Sequence, residues 1–378
     1  MRSAEQALDA LAALPCGARL LDVLRRRPEA WLVGGAVRDL LLGRTPRELD
    51  VAVEGDVDVV AAELGGDGRR HERFGTAVLQ VDGCAVDLAR TRTETYAAPG
   101  ALPDVTPAPL QDDLLRRDFT LNAIALRPDA GVRAAPYALE DLEAGRLRVL
   151  HDRSFLDDPT RLWRLVRYAV RLGFLPEAQT DRLAREAVAA GATATVSGPR
   201  IGAEVRLALR EARPLDTLHA ATQLGLVEGL ELDPARASAA LALLAPEGRA
   251  DLTLLGAVGF DVAGLGFTAA EERTLRRCAA LRVPPDGPPS VIAAALRGEP
   301  VEAVAVAAAR DGAQRSARWW LAEGRHVALE ITGDDLRAAG IAPGPELGAR
   351  LRRALDAKLD GALDGEGREA ELRVALGA

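Results

Sequence analysis

A glycine pair, Gly34 and Gly35, follows a short apolar stretch and precedes Arg38. Glycine lets a backbone approach an anionic ligand closely, and the free amide groups at the start of the next helix attract phosphate. The guanidinium of Arg38 adds planar donors that suit phosphate oxygens. This segment therefore predicts a phosphate-binding turn between a strand and a helix.

Acidic residues follow this turn at a spacing that suits a divalent cation. Glu48 and Asp50 are two positions apart, so in a strand their side chains lie on the same face. Asp87, in a second predicted strand, can add a third carboxylate. Such oxygen ligands bind Mg²⁺, which activates an attacking hydroxyl and neutralises a triphosphate. We expect Glu48, Asp50 and Asp87 to be catalytic, with Glu48 and Asp50 as metal ligands; the alternative is a solubilising charge at Glu48 and a strand-end residue at Asp87.

A second cluster, Arg-Arg-Asp-Phe-Thr-Leu-Asn-Ala over residues 116–123, combines cations with polar acceptors. Arg117 offers planar donors to triphosphate oxygens. Asp118 can accept hydrogen bonds from ribose hydroxyls, which favours ribonucleotides, and Asn122 can add a polar contact or brace the loop. A solvated charge cluster at a helix start is the alternative interpretation.

A third cluster places Arg161, Arg164 and Arg167 at intervals of three residues, on one side of a predicted helix. Few acidic residues stand at ion-pairing distances within this helix, so we expect the arginines to meet anions rather than form a solvated stripe.

Asp158 and Arg161 suit the recognition of a nucleobase. Cytosine and adenine share an exocyclic amine beside a ring-nitrogen acceptor. A carboxylate can accept from the amine and a guanidinium can donate to the ring nitrogen, whereas guanine and uracil present a carbonyl to the carboxylate. This pair therefore predicts acceptance of C and A and rejection of G and U.

The elements that must position these residues form an α/β unit that ends near residue 150. Its predicted elements are a helix over 3–27, a strand over 30–34, a short helix over 36–43, and strands over 49–54 and 77–90, the last with a hairpin turn at Asp82-Gly83. The Pro/Gly-rich stretch between Arg92 and Asp113 predicts a structureless loop. From Asp157 onward the pattern is helical.

Composition limits the class of protein. The 378 residues carry a net charge of −8, which argues against a general nucleic-acid binder, and only 3% aromatic residues, so stacking platforms for single strands are scarce. Cys16, Cys84 and Cys278 show neither metal spacing nor a disulfide framework, which favours a reducing cytoplasm. No apolar run of membrane length and no signal peptide are present, so no membrane association is expected.

The three clusters resemble the motifs of the class II CCA-adding enzymes, tRNA nucleotidyltransferases of the poly(A) polymerase family within the polymerase-β-like superfamily. The resemblance implies an α+β protein: a nucleotidyltransferase head with a small mixed β-sheet and helices, then an all-α neck, body and tail. The implied boundaries are 1–150 for the head, 151–215 for the nucleotide-recognising neck, 216–325 for the body and 326–378 for the tRNA-binding tail.

The resemblance also implies an activity and its participants. It implies addition of C, C and A to the tRNA 3′ end from CTP and ATP by two-metal nucleotidyl transfer, without a nucleic-acid template and with Mg²⁺ as cofactor. The partners are tRNA, CTP and ATP, with no membrane and no obligate protein partner. The implied nucleotide-binding residues are Gly34, Gly35, Arg38, Arg117, Asp118, Asn122, Asp158, Arg161, Arg164 and Arg167.

Two features leave alternatives open. The family usually has Asp-x-Asp where this chain has Glu48-Leu49-Asp50, so an inert nucleotide- or tRNA-binding homologue is one alternative to an active enzyme. A-adding and poly(A)-tailing relatives share the same motifs. Members that add only CC lack a complete flexible loop corresponding to residues 93–113, so its presence favours an enzyme that reaches the final A.

Overall fold

The computed structural model describes residues 1–71, 75–364 and 367–377. The chain divides into two compact units, Met1–Leu226 and Val227–Ala378. The first unit contains all the strands of the described residues, and the second is entirely helical. The expected α+β class is confirmed, while the four segment boundaries remain predictions. Within the described residues, no helix combines the length and apolar character that crossing a bilayer requires.

The strands of the first unit form one mixed sheet and two small pairs. The strands are β1 Ala30–Val33, β2 Leu49–Val53, β3 Asp67–His71, β4 Thr76–Val81, β5 Cys84–Arg90, β6 Arg92–Thr95, β7 Asp104–Pro107, β8 Ile124–Arg127, β9 Gly131–Ala134, β10 Arg146–Leu147 and β11 Leu175–Pro176. Seven of them make the main sheet in the order β3-β4-β5-β2-β1-β8-β9. Strands β2 and β5 are parallel, and the other neighbours in this sheet are antiparallel.

Helices cover this sheet and continue beyond it. They are α1 Ala4–Ala12, α2 Gly17–Arg26, α3 Gly35–Leu41, α4 Val57–Leu64, α5 Leu110–Leu115, α6 Ala138–Ala144, α7 Ser154–Asp157, α8 Thr160–Leu172, α9 Ala178–Ala189, α10 Gly198–Leu209 and α11 Pro214–Leu224. The predicted single helix over 3–27 is wrong, because α1 ends at Ala12 and α2 begins at Gly17. Pro15 lies in the break, where it lacks a donor and restricts the preceding residue.

The hairpin of β4 and β5 confirms its predicted turn. Asp82 and Gly83 have φ values of 47° and 85°, and a two-residue turn of this kind needs positive φ at both positions. Val81 pairs with Cys84 on either side of the turn. The turn therefore fixes the register of β5, the strand that carries Asp87.

The prediction of a structureless stretch between residues 92 and 113 is wrong. Strands β6 and β7 pair antiparallel from Arg92 with Pro107 to Thr95 with Asp104, and α5 follows them. Threonine and valine favour extended backbone, and Pro107 is tolerated because it ends its strand in a two-stranded ribbon. Only the connecting segment, residues 96–103, keeps the Pro/Gly-rich character without regular structure. We call it the 96–103 connection.

The expectation that no disulfide forms is also wrong. Cys16, which precedes α2, is joined to Cys84 at the start of β5, although 68 positions separate them. A separation of that length carries no information about distance in the fold. Cys278 is a free, buried thiol, and burial raises its pKa to about 12.

The second unit consists of helices joined by short turns. They are α12 Pro234–Leu243, α13 Ala250–Val258, α14 Ala269–Ala280, α15 Pro289–Leu296, α16 Val301–Asp311, α17 Gln314–Ala322, α18 Gly333–Ala338, α19 Pro345–Leu359 and α20 Gly367–Leu376. The last three share a small apolar core around Leu336 and Ala354. Beside it, the chain's single lysine, Lys358, pairs with the buried Glu371 at 2.7 Å.

Candidate active site

A cavity of about 400 Å³ opens over the sheet face formed by β2 and β5. It brings together seven of the residues that the sequence singled out. The carboxylates among them are Asp50, Asp87, Asp118 and Asp158. The cations are Arg117, Arg161 and Arg164. These residues come from two strands, the 116–123 segment and the start of α8, so the three sequence clusters meet at one place.

The carboxylate pair of this cavity is set by strand register. Asp50 on β2 lies directly opposite Asp87 on the parallel strand β5, so both side chains project from the same face. Burial raises the pKa of Asp50, and the charges of Asp87 and Glu48 raise it further against the opposing effect of Arg117. Burial and the charge of Glu48 also raise the pKa of Asp87. Two like charges held together in this way favour a cation between them.

This donor set suits Mg²⁺. Carboxylate oxygens are the ligands that Mg²⁺ takes from proteins, commonly one or two of them together with substrate phosphates. Asp50 and Asp87 supply two. Glu48, which the spacing predicts on the same strand face as Asp50, lies instead in the bend before β2 and is exposed to solvent. Across the described residues, no group of three or more His, Cys, Asp or Glu side chains is close enough to enclose a metal ion. The geometry therefore fits a cation held by the Asp50–Asp87 pair with oxygens from outside the protein.

The arginines beside the carboxylate pair are held by Asp113, which sequence reasoning missed. Its Oδ1 accepts hydrogen bonds from Arg116 at 2.6 and 2.9 Å, and its Oδ2 accepts from Arg117 at 3.0 and 3.3 Å. Glu94 on β6 accepts a further hydrogen bond from Arg116 at 2.6 Å. The two guanidinium groups are therefore fixed before any ligand arrives.

Gly34 makes room for one of these arginines. Its φ is +69°, and a Cβ at this position would lie 2.7 Å from Nη1 of Arg117. Gly35 is the next residue, where a Cβ would lie 3.3 Å from Nη2 of Arg38. Neither glycine lines the cavity, and their contacts indicate that the pair admits arginine side chains close to the backbone.

Arg38 and Asn122 lie behind the cavity wall. Arg38 is 1% exposed; its Nη1 donates to Oδ1 of Asn122 at 2.6 Å and its Nε donates to Asp39 at 2.8 Å. Asn122 in turn donates to Oδ1 of Asp118 at 3.0 Å. The structure therefore connects Arg38 to the cavity through Asn122 and Asp118.

Asp118 faces the cavity with one oxygen that lacks a directed donor. Its Oδ1 accepts from Asn122 and from the backbone of Phe119. Nη2 of Arg164 lies 2.8 Å from Oδ2, an ion pair without hydrogen-bond alignment, and the described residues offer Oδ2 no hydrogen bond. Burial alone would raise the pKa of Asp118, but Arg164 and the Asn122 hydrogen bond hold it below its ordinary value. The carboxylate stays ionised and can accept a hydroxyl.

Asp158 and Arg161, the predicted base-reading pair, also lie in the cavity. Oδ1 of Asp158 accepts from the backbone and hydroxyl of Thr160 at 3.2 and 2.7 Å. Arg161 is buried and donates to Ser154 at 2.7 Å and to the carbonyl of Arg116 at 2.9 Å. Both side chains are thus oriented by neighbouring residues.

Arg167 lies away from the cavity. Its guanidinium pairs with Glu204 at 2.8 Å and with Glu211 at 3.2 Å. The anions that this arginine meets in the structure are therefore carboxylates from α10 and from just beyond its end, which local spacing within α8 does not reveal.

Tyr96 is a second residue that sequence reasoning missed. It is an aromatic wall residue of the cavity, and its hydroxyl donates to Glu94 at 3.0 Å. Burial and the charge of Glu94 raise its pKa to about 12, so the hydroxyl keeps its proton. The sequence signal for Asp113 is its spacing of three and four positions from Arg116 and Arg117. The signal for Tyr96 is its position near the start of the long Pro/Gly-rich stretch.

The chain is similar to several known proteins. Residues 30–148 match the Poly A polymerase head domain. The chain is 34% identical to an A-adding tRNA nucleotidyltransferase of Geobacter sulfurreducens over 92% of its own length and 44% of that protein. It is 34% identical to a CC-adding tRNA nucleotidyltransferase of Deinococcus radiodurans, over 95% of this chain and 93% of that protein.

The chain also aligns with a solved structure of a CCA-adding enzyme in its apo form, with a TM-score of 0.83 and 26% identity. The alignment covers 100% of this chain and 99% of the other. The chain spans less than half the length of three A-adding relatives that it matches. The near full-length match to the CC-adding relative establishes the family on its own. The chain therefore belongs to the tRNA nucleotidyltransferases with a poly(A) polymerase head domain, as the motif resemblance predicts.

Proposed function

We propose that this protein adds C, C and A to the 3′ end of tRNA from CTP and ATP, with Mg²⁺ as cofactor and without a nucleic-acid template. One observation carries the proposal: a single cavity contains a carboxylate pair, fixed arginines and the Asp158–Arg161 pair. The first suits metal-assisted phosphoryl chemistry, the second binds triphosphate, and the third distinguishes bases.

Each group then has a role. Asp50 and Asp87 would hold Mg²⁺, with the charge of Glu48 nearby; when bound, the metal lowers the pKa of the attacking 3′-hydroxyl and offsets charge on the triphosphate. Arg117 and Arg164 bind triphosphate oxygens. Oδ2 of Asp118, which pairs with Arg164 but receives no hydrogen bond from the described residues, would accept a hydrogen bond from a ribose hydroxyl and so favour ribonucleotides.

Base choice rests on Asp158 and Arg161. Asp158 accepts from the exocyclic amine of cytosine or adenine. Arg161 donates to the adjacent ring nitrogen. A carbonyl in place of the amine would face the carboxylate and leave it without a donor, and a buried site with an unpaired polar group discriminates strongly.

Addition of A alone is a second candidate, favoured by the A-adding relatives. The match to the G. sulfurreducens protein covers 92% of this chain, and its identity of 34% equals that of the match to the CC-adding protein. The cavity distinguishes amine-bearing from carbonyl-bearing bases and serves either activity. A tRNA substrate supports a location in the cytoplasm.

Incorporation of labelled CTP and ATP into three tRNA forms tests the proposal: one lacking CCA, one ending in C and one ending in CC. Two C additions followed by one A support CCA addition. Addition of A only to the form ending in CC supports the A-adding alternative. Absence of transfer with either nucleotide, in Mg²⁺ and in Mn²⁺, contradicts both and favours the inert homologue.

A further inference from the structure

Arg200, in the first turn of α10, connects two parts of the cavity wall. Its Nη2 donates to Oδ1 of Asp158 at 2.9 Å, and its Nη1 donates to the carbonyl oxygen of Gly100 at 2.7 Å. Asp158 reads the base in the proposed function, and Gly100 is the centre of the 96–103 connection. One rigid guanidinium therefore joins the base-reading carboxylate to that connection.

The contacts of Asp158 divide its two oxygens. Oδ1 accepts three hydrogen bonds, from the backbone and hydroxyl of Thr160 and from Arg200. Among the described residues no donor is directed at Oδ2. Arg200 therefore helps to hold the carboxylate in one rotation and leaves Oδ2 for a ligand.

The contacts of Gly100 hold the connection against α7 and against Thr195. Its backbone amide donates to the carbonyl of Leu156 at 3.1 Å. Its φ is +72°, and a Cβ there would lie 2.2 Å from Oγ1 of Thr195. Tyr96 and Pro103, at the two ends of the connection, both line the cavity. A displacement of Gly100 would therefore change the cavity wall at both ends.

The sequence directs Arg200 to this position. Ser197 precedes α10, and Pro199 lies in the first helical turn, where its missing amide costs nothing and its fixed φ suits the helix. Arg200 follows immediately, at a sequence separation of 42 from Asp158 and of 100 from Gly100. Both bonds are thus long-range and belong to the folded unit.

We propose that Arg200 is a specificity-determining positioning residue, which couples the conformation of the 96–103 connection to the orientation of the carboxylate that reads the base. Because one planar guanidinium makes both bonds, it cannot keep both if the Gly100 carbonyl moves while Asp158 stays. A change in the connection then alters the base preference. This inference rests on the proposed function and deepens it.

The test compares Arg200→Met, Arg200→Lys and wild type, with Arg25→Met as the matched control. Arg25 is an exposed arginine of α2, remote from the cavity lining. The kcat/KM values for CTP, ATP, UTP and GTP are measured on tRNA primers. Because a charge-assisted hydrogen bond is lost, Arg200→Met should reduce the ratio of accepted to rejected nucleotides roughly 10-fold or more. Arg200→Lys, which keeps one donor direction, should recover part of the ratio, and Arg25→Met should leave it unchanged.

Hydrogen exchange provides a readout without turnover. In Arg200→Met the amides of the 96–103 connection should exchange faster, while those of β2 and β5 keep their wild-type rates. Wild-type selectivity in both Arg200 variants, with kcat/KM lowered by one common factor for all four nucleotides, would overturn the inference and leave the proposed function standing. Absence of transfer by the wild type would overturn the proposed function and the inference with it.

Discussion

Asp113→Asn is expected to destabilise the protein and weaken triphosphate binding. Asp113 is 2% exposed and accepts hydrogen bonds from both Arg116 and Arg117. Asparagine keeps the size of the side chain but removes the charge, so two adjacent guanidinium groups lose their shared anion. Removing one partner of a buried ion pair costs about 3–5 kcal/mol.

The structure reduces this figure, because Arg116 keeps Glu94 at 2.6 Å and both arginine side chains are about one fifth exposed. We therefore expect a loss of roughly 2–4 kcal/mol in the free energy of unfolding. For a unit of this size each kcal/mol lowers the unfolding midpoint by about 2–4 °C. The midpoint should fall by roughly 4–16 °C on the same scale.

The pH dependence has a definite sign. Burial alone raises the pKa of Asp113, but Arg117 and Arg116 outweigh it and hold the pKa below its ordinary value. A carboxyl with a lowered folded pKa stabilises the protein above its unfolded pKa of about 3.9, and that stability is lost as the pH falls through the folded pKa. The difference in the free energy of unfolding between wild type and Asp113→Asn should therefore be largest near neutral pH and shrink below about pH 4.

Chemical denaturation at several pH values and the KM for ATP test this reasoning. The exposed neighbour Asp112 provides the control, and Asp112→Asn should change neither quantity. The KM of Asp113→Asn should rise roughly tenfold, because Arg117 is no longer held in place. An unfolding difference that does not change with pH, or an unchanged KM, would show that Asp113 does not organise the arginines.

Substitutions at four further positions have definite expected outcomes. Glu48→Ala tests whether the exposed Glu48 joins Asp50 and Asp87 as a metal ligand: a ligand role predicts loss of metal-dependent incorporation with tRNA binding intact, and Glu48→Asp should then keep or raise activity. Unchanged incorporation in Glu48→Ala would remove Glu48 from the mechanism. Asp158→Ala and Arg161→Ala should each reduce the discrimination in kcat/KM against UTP and GTP. A lower rate with the wild-type preference would refute the proposal that this pair recognises the base. Gly34→Ala should lower the free energy of unfolding by roughly 1–3 kcal/mol, because the φ of +69° is strained for alanine. It should also raise the KM for nucleotide, because the new Cβ meets Arg117. Denaturation and kinetics identical to those of the wild type would contradict this prediction.

Local sequence signals predicted what depends on local physics. Asp82-Gly83 specified a turn, and the turn fixed β5 so that Asp87 reached the strand beside Asp50. The order of an α/β unit followed by helices came from the residue pattern, and the small mixed sheet came from the family resemblance; both are confirmed. The α1–α2 break was signalled by Pro15, which the helical spacing of leucines outweighed in the prediction.

Long-range partners were not predictable in the same way. The carboxylates that hold Arg167 come from beyond its own helix, and the Cys16–Cys84 bond joins residues 68 positions apart. Spacing within one element cannot show such pairs. Asp113 is a different case, because Arg116 and Arg117 follow it by only three and four positions. The prediction of a structureless stretch up to residue 113 hid this helical spacing.

The most direct test of the central claim, that the Asp50–Asp87 cavity performs nucleotidyl transfer, compares wild type with Asp87→Asn. Single-turnover transfer of labelled nucleotide to tRNA is measured in Mg²⁺, and tRNA affinity is measured in the same samples. Metal assistance contributes several kcal/mol, so we predict a loss of roughly a thousandfold in transfer with unchanged tRNA affinity. Transfer by Asp87→Asn at the wild-type rate would contradict the claim.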